Sequence, residues 1–239
     1  MNMLQFDKLD STNTYAKQNI DMLEDKTIVS TNVQTSGYGR FTRSWVDLGT
    51  ENIYMTFVLK PSDSLSEKHA NLTQYLSVTL CKQLETLGLC PQIKWPNDVL
   101  LKGKKVCGIL AETVVKGGKL KGIALGIGVN LNASAQSLDE IDRPATSVNL
   151  EIGHDINKQE FMQKLVEGFF VNYDEFLEKG FIYIKEDYEK RAMFLNKAIK
   201  VSVFDKIKEG EFAGFGDDGT LILRTSEGQI ENVNMGELI

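Results

Sequence analysis

Residues 94–112, KWPNDVLLKGKKVCGILAE, place four lysines among residues that are typical of buried strands. The stretch predicts a β-hairpin of strand 92–101 and strand 105–115, because both runs are apolar and a Lys-Gly-Lys segment between them suits a tight turn. The lysines of that turn, Lys102 and Lys104, are expected to be solvated. Lys94 and Lys105 lie within the strands, where a charged side chain needs a partner to offset its desolvation.

The segments on either side of this hairpin predict an α+β fold. Strand composition is found before the hairpin at 4–8, 27–34 and 52–60, and after it in LKGIALGIGVNL, which follows a paired-glycine turn. Helical periodicity is found from Leu65 to about Gly88, over 157–180 and over 182–194. This arrangement predicts a mixed β-sheet with helices on one side.

The composition changes towards the C-terminal end. Residues 194–239 alternate short strands with Gly- and Asp-rich turns and have no helical period, which predicts a small β-barrel. A unit of roughly 45 residues is small for an independent core, so we expect it to pack against the preceding part. We therefore predict a main domain over residues 1–193 and a small C-terminal domain over residues 194–239.

Composition argues against several classes of function. The chain has 239 residues and a net charge of -6, so its overall charge does not favour DNA or RNA. It shows neither a membrane-spanning apolar run nor a signal peptide, which predicts a cytoplasmic protein without a membrane partner. Three cysteines without a Cys-x-x-Cys pair predict buried free thiols. The two histidines lie far apart, so we predict no protein-bound metal and no histidine base.

A second feature is the segment QTSGYGRFTRSW, residues 34–45, which we call the Gly/Arg loop. Gly37 lets the backbone approach a ligand closely, and Trp45 offers a stacking face. Arg40 and Arg43 supply forked donors that suit carboxylate or phosphate oxygens. A flexible surface loop is the alternative interpretation. The segment matches neither the dinucleotide-binding glycine pattern nor the P-loop.

Two further segments carry polar residues at the ends of predicted elements. Ser11-Thr12-Asn13 precedes a helical run, and GIALGIGVNLN, residues 122–132, contains Asn130 at a strand end. Taken singly, the first is a helix cap and the second is a packed central strand whose small residues admit close neighbours. Their functional meaning depends on their combination with the hairpin and the Gly/Arg loop.

The order and spacing of these pieces resemble the catalytic domain of bacterial biotin protein ligases, also called biotin–[acetyl-CoA-carboxylase] ligases. The matching pieces are DSTN (10–13), QTSGYGR (34–40) reaching Arg43 and Trp45, KWPND (94–98), KVCGILAE (105–112) and GIGVN (126–130). The resemblance covers nearly the whole chain. It implies that biotin and ATP are substrates with Mg²⁺ on the phosphates, that biotinyl-5′-AMP is the intermediate, and that the acceptor is a lysine of a biotin carboxyl carrier protein.

The resemblance also implies roles for individual residues. Biotin would be bound by Ser11, Thr12, Asn13, Gln34, Gly37, Lys105 and Gly108. ATP or the adenylate would contact Arg40, Arg43, Trp45, Lys94, Asn97 and Asn130. Catalysis would depend on Lys105, Arg40, Asp98 and Lys94. Within this set, Lys94 and Asp98 match the charged pair of the KWPND motif, and Asp98 is the candidate to orient or deprotonate the acceptor lysine.

The chain departs from the family pattern in the Gly/Arg loop. Tyr38 and Phe41 stand where family members commonly have arginines, and Thr42 replaces a glycine. Phosphate contacts made by those additional charges therefore do not carry over to this chain. Some family members also have an N-terminal helix-turn-helix that binds DNA. Here the catalytic pattern begins near residue 4, which implies a ligase only, and a homodimer stays open.

Two other functions compete with this interpretation. Lipoate ligases and lipoyl or octanoyl transferases share the fold and the type of acceptor, but their Arg-Arg and Gly-Gly-Gly loop is absent from the sequence. A non-catalytic module that binds biotin or a nucleotide is the second alternative. The charged residues expected for both reaction steps are present, which favours an enzyme.

Overall fold

The computed structural model describes residues 2–61 and 67–239. The strands of its main sheet are β1 (Met3–Leu9), β2 (Thr27–Gln34), β3 (Ile53–Leu59), β4 (Pro91–Lys94), β5 (Asp98–Leu101), β6 (Lys104–Lys116) and β7 (Lys119–Val129). They form a seven-stranded sheet with the spatial order β1-β2-β3-β7-β6-β5-β4. Strand β1 runs parallel to β2, whereas the other neighbours are antiparallel. The predicted mixed sheet is therefore confirmed. The single strand predicted over 92–101 is wrong, because the chain turns at residues 95–97 and forms the two antiparallel strands β4 and β5.

The described residues form eight helices: α1 (Thr12–Gln18), α2 (Glu67–Ala70), α3 (Leu72–Thr86), α4 (Ala135–Leu138), α5 (Val148–Ile152), α6 (Lys158–Val171), α7 (Tyr173–Lys179) and α8 (Lys185–Glu189). The long helices α3 and α6 pack with the odd-numbered residues of β3, such as Met55 and Phe57, on one face of the sheet. Among the described residues, no helix is both long enough and apolar enough to cross a membrane.

Helix α1 lies on the opposite face of the sheet, in addition to the helices that were predicted on one side. Ala16 of this helix and Ile20, which follows it, pack with Val58 and Ala124, whose side chains point away from α3 and α6. The helix is only seven residues long, so it covers a small part of this face. The remaining part of the face is left open for the functional site.

The C-terminal strands form a separate sheet that packs on the main core. They are β8 (Ala198–Val203), β9 (Lys206–Phe215), β10 (Leu221–Arg224), β11 (Ile230–Val233) and β12 (Glu237–Leu238). The sheet is antiparallel and five-stranded, with the order β11-β10-β9-β8-β12. Phe215 packs edge-on against Tyr188 of α8, with 4.9 Å between ring centroids. One apolar core includes residues of both sheets, and the boundary at residue 193 stays a prediction.

Three predicted helices have different limits in the structure. The segment 157–180 is divided at Asn172 into α6 and α7. The segment 182–194 contains only the five-residue α8 after a short 3-10 turn. It ends early because Ile93 donates its backbone N–H to Arg191, and Met193 donates to Ile93, so the chain pairs with β4. Leu65, the predicted start of the first long helix, lies outside the described residues.

The prediction of buried thiols is right for two cysteines and wrong for the third. Cys81 on α3 and Cys107 on β6 are buried, and burial raises the pKa of both thiols. Cys90 is exposed, because it lies in the connection between α3 and β4. Apolar neighbours in the sequence therefore do not bury a residue that the fold places in a surface connection.

Candidate active site

A cavity of about 400 Å³ opens on the face of the sheet that α1 leaves uncovered. Its walls come from the start of α1, the Gly/Arg loop, the turn after β4, strands β6 and β7, and the segment 140–145. Glu237 of the C-terminal sheet completes the rim. Every residue assigned above to biotin, ATP or catalysis lines this cavity, with the exception of Gly37. The fold thus brings motifs that are distant in the sequence into one site.

Two glycines on neighbouring strands form a flat base under an aromatic ring. Gly108 of β6 lies opposite Gly128 of β7 in the sheet register. A Cβ atom at Gly128 would lie 2.5 Å from Cε2 of Trp45, and one at Gly108 would lie 2.9 Å from Cζ3 of the same ring. Trp45 therefore lies directly on the sheet, and the clearance that Gly108 provides is used by this indole. The Lys105 ammonium lies 5.4 Å from the indole ring centroid.

Replacing Gly128 with Ala is expected to displace Trp45 from the sheet and to destabilise the protein by about 1–3 kcal/mol, the usual cost of overpacking. The measurement is thermal unfolding together with Trp fluorescence, which should shift to the red as the indole becomes solvated. Gly168→Ala on α6 is the matched control, since its new Cβ would meet only Thr79 Cγ2 at 3.4 Å. Wild-type stability and emission in Gly128→Ala would contradict the proposed packing.

The charged residues of the hairpin that were assigned to catalysis pair differently from the predicted arrangement. Lys94 of β4 lies opposite Asp98 of β5 in the sheet register, as expected for a charged pair. The ion pair of Asp98, however, is made with Lys105 of β6, at 2.8 Å between Nζ and Oδ1. A register shift between β5 and β6 accompanies this arrangement. Lys105 is therefore the partner of Asp98, and Lys94 lines the cavity beside them.

The arginines of the Gly/Arg loop are held by the C-terminal sheet. Arg40 donates from Nη1 to the backbone carbonyl of Gly236 at 2.9 Å. Arg43 forms an ion pair with Glu237, and Arg143 lies 3.7 Å from the same carboxylate. Burial acts to raise the pKa of Glu237, but the hydrogen bond from Arg43 and the surrounding positive charges lower it overall. Glu237 consequently stays ionised and ties the loop to β12.

Three other predicted site residues have structural contacts of their own. Asn97 donates from Nδ2 to the carbonyl of Ile109 at 2.7 Å, which fixes the turn after β4 against β6. Asn130 donates to the carbonyl of Thr146 at 3.0 Å and is almost fully buried. A Cβ at Gly37 would lie 2.5 Å from Gln34 Nε2, so this glycine allows the loop to pack on its own first residue.

The sequence did not predict the contacts of several residues at or beside the site. Glu112 accepts hydrogen bonds from Lys17, Asn13 and Tyr38. The only signal for Glu112 was its place at the end of the KVCGILAE segment. Tyr38 stands where the family has arginine, and the structure shows that its hydroxyl group fixes the Gly/Arg loop to β6. Glu237 gave no signal, because it is distant in the sequence from the residues it contacts.

The carboxylates of the cavity suit a magnesium ion that is bound mainly by phosphates. Among the described residues, no group of three or more His, Cys, Asp or Glu side chains is arranged to hold a metal ion. Mg²⁺ that accompanies a nucleotide needs only one or two protein carboxylates, because phosphates and water supply the other ligands. Asp98, Glu140 and Asp142 line the cavity and provide such oxygen donors.

Known proteins are similar to this chain in both sequence and fold. Residues 5–130 match the Biotin/lipoate A/B protein ligase family. A biotin–[acetyl-CoA-carboxylase] ligase from Paracoccus denitrificans is 34% identical over 230 residues, covering 93% of this chain and 94% of that protein. A bifunctional ligase/repressor BirA from Bacillus spizizenii is 31% identical over 204 residues, covering 84% of this chain. The chain spans 62% of the length of that relative.

Similarity to solved structures extends over the whole chain. A biotin protein ligase from Aquifex aeolicus, solved in complex with biotin and ATP, superposes with a TM-score of 0.84 at 27% identity. The superposition covers 100% of this chain and 97% of that one, so it includes both sheets. Sequence, fold and the convergence of the motifs in one cavity lead to the same conclusion. The chain belongs to the biotin/lipoate A/B protein ligase family.

Proposed function

We propose that this protein is an ATP-dependent biotin protein ligase. It forms biotinyl-5′-AMP from biotin and ATP, releases pyrophosphate, and transfers biotin to a lysine of a biotin carboxyl carrier protein. The observation that carries the proposal is the single cavity that unites the Ser-Thr-Asn segment, the Gly/Arg loop and the KWPND turn. Relatives that are named as biotin ligases support it. The predicted cytoplasmic location is part of the same proposal.

In the first step, a carboxylate oxygen of biotin attacks the α-phosphorus of ATP and the bond to the β-phosphate breaks. Both reactants are anionic, so fixed cations lower the barrier by offsetting their repulsion. The cavity supplies these cations as Lys94, Lys105, Arg40 and Arg43. Asp98 fixes the ammonium of Lys105 through their 2.8 Å ion pair. Mg²⁺ bound to the phosphates would neutralise further negative charge.

In the second step, the amine of the acceptor lysine attacks the acyl carbon of the adenylate, and AMP leaves. The amine must be neutral to act as a nucleophile, so a group that orients it or accepts its proton assists the reaction. Asp98 is the carboxylate of the KWPND turn that lines the cavity beside Lys105. We assign this role to Asp98.

Between the two steps, the adenylate must be shielded from water, which would hydrolyse it. The Gly/Arg loop is suited to this task because it lies between the cavity and the C-terminal sheet. Arg40 and Arg43 join the loop to Gly236 and Glu237. Trp45 adds an apolar wall on the opposite side of the loop, against the two strand glycines.

A pyrophosphate-release assay tests the proposed function. The purified protein is incubated with ATP and Mg²⁺ and with either biotin or lipoate, followed by a carrier domain that lacks biotin. We expect pyrophosphate release in the reaction with biotin but not in the reaction with lipoate, and one biotinylated lysine on the carrier. Release with lipoate alone would assign the protein to the lipoate branch of the family. Binding of biotin without any release would favour the non-catalytic module.

A further inference from the structure

A chain of hydrogen bonds behind the cavity links Glu112 of β6 to Thr12 at the start of α1. Asn13 Nδ2 lies 2.9 Å from Glu112 Oε2. Thr56 Oγ1 lies 2.7 Å from Asn13 Oδ1 and 2.8 Å from Thr12 Oγ1. Thr56 is fully buried on β3, while Thr12 and Asn13 are only 4% and 5% exposed. Each member of this chain therefore has few alternative partners.

The carboxylate of Glu112 sets the direction of the first hydrogen bond. An ionised carboxylate only accepts hydrogen bonds. Burial acts to raise the pKa of Glu112, but hydrogen bonds from Lys17, Asn13 and Tyr38 outweigh it and lower the pKa overall. Glu112 is therefore ionised at neutral pH, and the amide of Asn13 must direct Nδ2 towards it. The carbonyl of Leu110, 3.3 Å from the same nitrogen, favours the same orientation.

The orientation of Asn13 determines the hydrogen bonds of both threonines. Since Asn13 Oδ1 only accepts, Thr56 must donate its single hydroxyl proton to it. The 2.8 Å contact between the two threonine hydroxyl groups then requires Thr12 to donate to Thr56. The other acceptor near Thr12 Oγ1 is Gln34 Oε1, at 3.4 Å, which already accepts from the backbone N–H of Thr12 at 3.0 Å. Thr12 is left with lone pairs and no proton for the cavity.

The neighbouring strand leaves space for this chain and holds it in place. A Cβ atom at Gly126 of β7 would lie 2.3 Å from Asn13 Oδ1, so any other residue there would push the amide away from Thr56. Ser11 differs from Thr12, because its Oγ accepts from the backbone N–H of Thr14 and its proton remains available. Adjacent residues thus present a donor and an acceptor to the same end of the cavity.

We propose that Glu112 is a positioning residue that acts through Asn13 and Thr56 to fix the Thr12 hydroxyl as a hydrogen-bond acceptor. The acceptor selects ligands that carry a ring N–H, such as the cyclic urea of biotin. The dithiolane ring of lipoate has no N–H and would leave Thr12 unsatisfied, which lowers its affinity. This inference rests on the proposed function and names the residues that give the site its preference between the two ligands of the family.

The test compares biotin with an analogue in which oxygen atoms replace both ring N–H groups, using ATP–pyrophosphate exchange. We expect the KM of the wild-type protein to be about tenfold higher for the analogue, the effect of losing one hydrogen bond. In Glu112→Gln, the new side-chain amide can donate a hydrogen bond to Asn13. The Asn13 amide can then rotate by half a turn, and the direction of the hydrogen bonds from Asn13 to Thr12 is no longer fixed. Thr56→Val removes the middle hydroxyl group. In both variants the KM ratio should fall to about threefold or less, with kcat for biotin within a few-fold of wild type.

Two controls separate this role from a general effect on folding. Thr27→Val removes a buried hydroxyl group on β2 that has no hydrogen-bond partner among the described residues, and it should keep the wild-type ratio. Lys17→Arg keeps a cationic hydrogen-bond donor beside Glu112, so the carboxylate stays ionised and the direction of the Asn13 amide is unchanged, and it should also keep the ratio. Thermal unfolding shows whether each variant is folded. If Glu112→Gln does not fold, the KM ratio of Thr56→Val decides the test.

The outcomes distinguish this inference from the proposed function. If wild-type protein catalyses exchange with biotin but does not discriminate against the analogue, Thr12 is not the predicted acceptor and the inference is wrong. It is equally wrong if Glu112→Gln and Thr56→Val discriminate as strongly as the wild type. If wild-type protein catalyses no exchange with biotin and ATP, the proposed function itself fails.

Discussion

Replacing Lys105 with Ala is expected to reduce the rate of biotinyl-AMP formation by about 10³-fold, which is the scale of losing one fixed electrostatic contact in a transition state. The Lys105 ammonium faces the cavity from β6 and is held 2.8 Å from Asp98. Without it, the attacking carboxylate and the α-phosphate would meet beside an uncompensated aspartate. The loss should therefore affect kcat for adenylate formation more than the affinity for biotin.

The measurement is pyrophosphate release in a single turnover, with thermal unfolding as the check on folding. Lys104→Ala provides a matched control, because Lys104 is the neighbouring lysine and is exposed at the start of β6, beside the hairpin turn. We expect this control to release pyrophosphate at the wild-type rate. Undiminished release by Lys105→Ala would remove Lys105 from the proposed mechanism.

Replacing Arg40 with Gly is expected to let biotinyl-AMP escape from the site before the acceptor lysine attacks it. Arg40 is the arginine of the Gly/Arg loop that donates to the carbonyl of Gly236, and burial lowers the pKa of its guanidinium without neutralising it. Its loss would remove the proposed phosphate contact, and it removes a tie between the loop and the C-terminal sheet. The released adenylate should biotinylate surface lysines of unrelated proteins.

The experiment mixes the variant with ATP, biotin and an unrelated lysine-rich protein, and biotin incorporation is detected by mass spectrometry. We expect labelling at several lysines, at least about tenfold above the wild type, since one charge-assisted hydrogen bond is lost. Arg40→Ala should behave similarly, which separates the loss of the guanidinium from the additional backbone freedom of glycine. Labelling that stays confined to the carrier lysine would contradict this role.

Much of the main sheet was predictable because its signals are local. The run 27–34 is rich in β-branched residues and corresponds to β2 without an error at either end. The Lys-Gly-Lys turn marks the hairpin of β5 and β6, and the paired glycines mark the next hairpin. The candidate site was predictable for the same reason. Its motifs are short, contiguous segments, and the fold brings nearly all of their polar residues into one cavity.

The remaining features depend on contacts between distant segments. The end of the helix predicted over 182–194 was wrong because pairing with Ile93 competes with helical hydrogen bonds after Arg191. The partner of Asp98 depends on the register between β5 and β6, which composition does not specify. Thr56 and Glu112 were missed for a related reason. A single polar residue in a strand acquires meaning only when its neighbours across the sheet are known.

The contacts between the Gly/Arg loop and the last strand also bear on the order of folding. Arg40 and Gly236 are separated by 196 positions, and Arg43 and Glu237 by 194. Contacts of such separation carry a large loop-closure entropy and slow the steps in which they form. A chain that has completed the seven-stranded sheet therefore still lacks the part of the cavity rim that Glu237 supplies. If the proposed function holds, we expect the capacity to bind biotin to arise before the capacity to retain a reactive adenylate, which requires the docked small sheet.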